Sequence, residues 1–136
     1  MKLFICCSKH VYEKIPPIQE QLERMGHVIT LPNSYEEPMK EEDMKKVSPE
    51  AHQKWKADMI HRQKAKVLDN DAVFVPNLEK YGQPNYIGGA TFLEIFCAFD
   101  AGKKIFLYNP VPDNILRDEL LGMNPTIING DLTKIR

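Results

Sequence analysis

Leu3-Phe4-Ile5-Cys6-Cys7 decides the fold. The run is apolar without polar alternation, as in a strand covered on both faces, and such strands belong to parallel sheets packed between helices. The next segments continue the pattern. Val11, Ile15, Ile18, Leu22 and Met25 recur at steps of three and four, which is one face of an amphipathic helix, and Gly26 is its natural stop. Pro16-Pro17 places the start of regular helix there, with the earlier residues forming a loop or an irregular turn. His27 to Leu31 reads as a second strand, ended by the turn formers Pro32-Asn33-Ser34. Ala72-Val73-Phe74-Val75, Ile105-Phe106-Leu107-Tyr108 and Thr126-Ile127-Ile128 read as the third, fourth and fifth strands. Helices are expected from Ser48-Pro49-Glu50 to Asp69, from Ala90 to Ala101, and over residues 114–122. This alternation describes an α/β fold: a doubly wound five-stranded parallel sheet, flavodoxin-like, with strand order 2-1-3-4-5.

The 136 residues suit a single domain, 1–136, and 43% hydrophobic against 27% charged residues with a net charge of -1 describe an ordinary globular chain. No nucleic acid polymer is expected as a partner. Three cysteines are an odd count, and neighbours in a strand such as Cys6 and Cys7 point to opposite faces. Reduced thiols in a cytoplasmic protein are the expectation. The first apolar run stops at Ser8, too early for a signal peptide or a membrane span. His10, His27, His52 and His61 lack metal-ligand spacing, so no metal is expected. Gly88-Gly89 lies outside a P-loop or Rossmann fingerprint and reads as a tight helix entrance, so no cofactor is expected either. The variable stretch at about 33–50 mixes Glu, Asp and Lys with scattered Met. It is expected to be a solvated excursion, with a mobile lid as the alternative.

Ligands of such sheets bind beyond the carboxyl ends of the strands, where the strand order reverses. That places Cys7, Ser8, His10, Asn77, the segment Tyr81 to Gly89, and Asn109 in view. The asparagines suit sugar hydroxyls or base edges, and equally suit turns; His10 either reaches a phosphate or ends a strand. Glu94 stands apart. Its helix, Ala90 to Phe99, is apolar nearly all round and is expected to be largely buried, where a carboxylate is costly. Thr91, Ala90, Cys97, Ala98 and Ala101 share its face and are all small, leaving room for a ligand or another backbone. The other reading is that Glu94 neutralises the helix N-terminus or meets a buried partner.

Asp71 to Asn77, Asn85-Tyr86-Ile87-Gly88-Gly89-Ala90-Thr91-Phe92-Leu93-Glu94, Lys103 to Pro110 and Leu3 to Ser8 resemble the nucleoside 2-deoxyribosyltransferase superfamily. That superfamily includes deoxynucleoside 5'-monophosphate N-glycosidases. The resemblance spans most of the chain apart from residues 33–50, and its distinctive part is the Gly-containing turn before a helical glutamate. It implies that Glu94 attacks the anomeric carbon of a deoxyribosyl group, releasing the base and forming a glycosyl-enzyme that passes to another base or to water. It also implies a small-molecule nucleoside or nucleotide partner, for which the candidate binding residues are Cys7, Ser8, His10, Gln63, Asn77, Asn85, Tyr86, Gly88, Gly89 and Asn109. A homo-oligomer follows from the same resemblance, with Trp55, Phe96 and Phe99 as apolar contact candidates.

Two positions depart from the family pattern. Cys7 stands where the family has a strand-end glycine, and Gln63 where it has an aspartate that helps to handle the base or the sugar. Glutamine is neither acid nor base at neutral pH. Asp58 is no substitute, because helical geometry turns it roughly 140° away from Gln63. Two functions therefore stand side by side: N-glycosidic cleavage or deoxyribosyl transfer through Glu94, and a non-catalytic nucleoside- or nucleotide-binding module with the same fold.

Overall fold

The apolar runs pair as parallel neighbours. In the computed structural model, which describes residues 1–136, five strands form one sheet: β1 (Lys2–Ile5), β2 (Val28–Thr30), β3 (Ala72–Val75), β4 (Lys104–Leu107) and β5 (Thr126–Ile127). Their order is β2-β1-β3-β4-β5, and every pair is parallel, with Phe4 beside Thr30 and Val73, and Val73 beside Ile105. This is the flavodoxin-like arrangement expected from the sequence. The pleat sends alternate residues to opposite faces. Phe4, Cys6, Val73, Val75, Ile105 and Leu107 pack on one face with Val67, Ile95 and Leu120. Leu3, Ile5, Phe74 and Phe106 pack on the other with Ile15, Leu22 and Ile128.

Local signals set the helix ends. A 3-10 turn over Lys9–Lys14 leads into α1 (Ile15–Arg24), whose first turn takes both prolines because their missing N–H groups have no helical partner there. Gly26 then turns the chain at φ +94°, which is cheap only for glycine. The long α3 (Pro49–Asp69) is capped by Ser48, whose hydroxyl accepts the Ala51 N–H at 3.0 Å.

Three elements differ from the sequence reading. The stretch expected as an excursion contains α2 (Lys40–Val47), with Glu41, Glu42 and Asp43 in its first turn and Lys45 and Lys46 in its last. These charges complement the helix dipole, but no residue of α2 is buried, so apolar periodicity carried no trace of it. The last helix, α5 (Arg117–Gly122), begins at Arg117 and not at residue 114, because the Asn114 side chain accepts the Leu116 N–H in a local turn. The helix holding Glu94, α4 (Gly89–Asp100), buries only Thr91, Glu94, Ile95 and Ala98. Leu93, Phe96 and Phe99 are 40–50% exposed, because α4 covers the sheet with one face only. No helix is long and apolar enough to cross a membrane.

Candidate functional site

A cleft of about 480 Å³ opens at the carboxyl ends of the strands, a volume within the usual range for small-molecule sites. Cys7, Ser8 and His10 enter it from the end of β1, and Lys80, Tyr81, Tyr86 and Gly88 to Thr91 from the segment after β3. β1 and β3 are the neighbours between which the strand order reverses. α3 contributes Trp55, Lys56, Met59 and Gln63, and α2 adds Glu41, Glu42 and Lys45 to the lining.

Glu94 lies on the cleft wall and is only 7% exposed, and no cation lies within salt-bridge distance of its carboxylate, whose hydrogen-bonding neighbour is the Cys6 thiol. Burial pushes its pKa up to about 8, against the opposing pull of Lys66, the Cys6 thiol and Lys56. A carboxylate in this setting is a stronger base and nucleophile when ionised, but at neutral pH the neutral acid predominates. Ala90 and Thr91 line the cleft one turn before it, so its approach is not blocked by bulk.

The surrounding thiols and phenol are neutral at physiological pH. Burial raises the Cys6, Cys7 and Tyr12 pKa values, and the nearby Glu94 raises each further. Cys7 therefore fills space at the strand end without offering a thiolate. Gln63 is buried, and its side-chain amide donates to the Ala90 carbonyl at 3.3 Å.

The segment after β3 is shaped by Tyr86. Lys80 stands 4.5 Å from its ring centroid and donates to its hydroxyl at 3.4 Å. A Cβ at Gly88 would sit 3.3 Å from that hydroxyl, which explains glycine at this helix entrance. His10 meets Tyr81 edge-on with centroids 4.9 Å apart, and burial together with Lys80 and Lys9 holds its imidazole below the usual pKa.

Ion pairs hold α2 over the cleft. Glu42 pairs with Lys9, while Glu41 meets His52 at 2.9 Å and Lys56 at 3.1 Å on α3. Burial raises the Glu41 carboxyl, but the bonds from His52 and Lys56 outweigh it and hold the pKa below the usual value.

Of the residues expected at the site, Cys7, Ser8, His10, Gln63, Tyr86, Gly88, Gly89 and Glu94 do line one cleft. Asn77, Asn85 and Asn109 do not. Asn77 is buried, and it exchanges bonds with Asn109: its amide donates to the Asn109 carbonyl at 3.0 Å and its oxygen accepts the Asn109 N–H at 2.8 Å. The pair clamps the ends of β3 and β4 and has little bonding capacity left for a ligand. Asn85 takes φ 57° in the turn before Tyr86, a conformation that asparagine tolerates. The residues of α2 were missed, and so were Lys80 and Trp55 as lining groups; the alternation of charge in 35–47 was the only sequence signal for the cover.

No family model, no curated protein and no solved structure matches the chain. Its own geometry defines the class: a flavodoxin-like α/β domain with a buried carboxylate in a cleft at the switch point of the sheet.

Proposed function

We propose that the chain cleaves or transfers the N-glycosidic bond of a deoxynucleoside or its 5'-monophosphate, with Glu94 as nucleophile. The observation that carries this reading is the nearly buried Glu94 carboxylate, without a salt-bridge cation, beside small residues in the switch-point cleft. In the first step the bond from the anomeric carbon to the base breaks with its electron pair leaving on the base, and an ester bond forms to a Glu94 oxygen. In the second, water or another base replaces that oxygen and the carboxylate is freed. Purified protein incubated with each deoxynucleoside and each monophosphate should release free base, and Glu94→Gln should reduce the rate by a factor on the order of hundreds or more.

Gln63 favours a second reading, a module that binds a nucleoside or nucleotide without efficient turnover. Its amide is bonded to Ala90, so the position supplies neither proton nor base. Ligand-dependent thermal stabilisation without base release would select this reading.

The half-exposed Phe96 and Phe99 on α4, with Leu93 beside them, also support a homo-oligomer built on that face. Light scattering at tens of micromolar should give a multiple of the 15.7 kDa chain mass, and a monomer mass would exclude it.

A further inference from the structure

We propose that Lys80 is the specificity-determining residue of the cleft: its ammonium takes the phosphate of a deoxynucleoside 5'-monophosphate, so that the monophosphate and not the free deoxynucleoside is the substrate. This rests on the reading of Glu94 as the nucleophile and narrows its substrate class. Charge pairing in the cleft singles the residue out. The lysines that line it are Lys9, Lys45, Lys56 and Lys80. Glu42 pairs with Lys9 and Glu41 with Lys56, which leaves Lys45 and Lys80 without a carboxylate partner. Lys45 is exposed in the last turn of α2, whereas Lys80 is half-buried and held by its neighbours.

A strained turn presents Lys80 to the cleft. Tyr81 and Gly82 both take positive φ, 49° and 80°, and across them the main chains of Lys80 and Gln83 exchange hydrogen bonds of 3.0 and 2.9 Å. This is the tight two-residue turn of a hairpin, a conformation that costs a tyrosine free energy and that proteins keep at ligand clamps. The Lys80 ammonium stands 4.5 Å from the Tyr86 ring centroid and 5.9 Å from that of Tyr81, whose other neighbour is His10. The two rings hold the charge without neutralising it. An ammonium has three donors, and one of these goes to the Tyr86 hydroxyl at 3.4 Å, so the others are free for an anion.

The position suits the far end of a sugar whose near end is at Glu94. The Tyr86 hydroxyl lies 3.3 Å from where a Cβ on Gly88 would stand, and so the ammonium bonded to it sits at the entrance to α4. From Gly88 to Glu94 the helix rises ~9 Å, and the Glu94 side chain leans back toward that entrance. Lys80, Gly88 and Glu94 line the same cleft. A deoxyribose spans a distance of this order between the anomeric carbon, which Glu94 attacks, and a phosphate on its 5' oxygen. A hydroxyl at that oxygen gives the ammonium only a neutral acceptor, whereas a phosphate gives it a charged one.

The test is calorimetric titration of the full chain with each deoxynucleoside and each deoxynucleoside 5'-monophosphate, in Glu94→Gln so that no ligand is consumed. With Lys80 in place the monophosphate should bind ~10- to 100-fold more tightly than its nucleoside, the range of a hydrogen bond to a charged group. Lys80→Gln keeps a donor for Tyr86, and Lys80→Met keeps the stem on its ring. Both should bring the two affinities within a few-fold of each other by weakening the monophosphate alone, while Lys80→Arg and Lys45→Gln retain the preference. Equal affinities with Lys80 in place, a preference that survives in whichever neutral variant folds, an equal loss of nucleoside binding, or no binding of any of these compounds overturns the inference. The two readings fail separately. If the preference depends on Lys80 but the wild type releases no base, the phosphate site stands and the nucleophile reading fails; if Glu94→Gln abolishes base release while the preference ignores Lys80, the nucleophile reading stands without this site.

Discussion

The side-chain amide of Gln63 donates to the main-chain carbonyl of Ala90 at 3.3 Å, and this bond ties α3 to α4 one turn before Glu94. Gln63→Ala should cost ~1–3 kcal/mol, read as a lower midpoint in urea unfolding. Gln63→Asp places a carboxylate where an acid, base or sugar-orienting group would act. Base release should rise above wild type in Gln63→Asp and vanish when Glu94→Gln is added; no rise would show that the position carries no chemistry.

Burial raises the Glu94 pKa to about 8 from its ordinary value of 4.5, so the folded state favours the protonated form. The sign follows from linkage: this contribution to stability is fully present below about pH 4.5 and is lost as pH rises through about 8. Glu94→Gln, which cannot ionise, should remove the slope in that window. The variant is expected to melt several degrees above wild type at pH 9 and near it at pH 5, by calorimetry. A parallel loss at both pH values would mean that the carboxyl makes a structural bond.

On the proposed mechanism the same ionisation governs turnover. A nucleophilic carboxylate works only when charged, so kcat/KM for base release should climb with pH to a plateau, with an apparent midpoint close to 8. A flat profile between pH 6 and about 9 would remove Glu94 from the rate-determining chemistry.

The cover over the cleft depends on charge. Glu41 has a lowered pKa, so its bonds to His52 and Lys56 stabilise α2 above the usual carboxylate range and weaken as pH falls through the folded value. Partly exposed pairs of this kind contribute ~0.2–1 kcal/mol each, which predicts a few-fold effect. Amide hydrogen exchange over residues 40–47 should quicken several-fold in Glu41→Gln and in high salt, with β3 unchanged. Unaltered exchange would show that other contacts hold α2.

The sheet was legible because Leu3–Ile5 and Ala72–Val75 are covered on both faces and need no polar alternation. The caps at Ser48 and Pro16-Pro17 were legible because their chemistry is local. Glu94 stood out as a carboxylate in an apolar helix, and its burial agrees. Long-range pairing was hidden. Nothing in the spacing of Asn77 and Asn109 says that they satisfy each other, and α2 is held by Glu41, Glu42 and their partners with no apolar stripe to mark it. The exposure of Phe96 and Phe99 was hidden as well, since an all-apolar helix reads the same whether the sheet or a second chain covers its outer face.

The most direct measurement is base release, followed by chromatography, from each deoxynucleoside and its 5'-monophosphate by wild type and Glu94→Gln at pH 8.5, above the Glu94 midpoint of about 8. The account predicts release by the wild type and a loss on the order of hundreds-fold or more in the variant, with ligand-dependent thermal stabilisation retained in both. Equal release by the two proteins, or none by the wild type from any of these substrates, would contradict it.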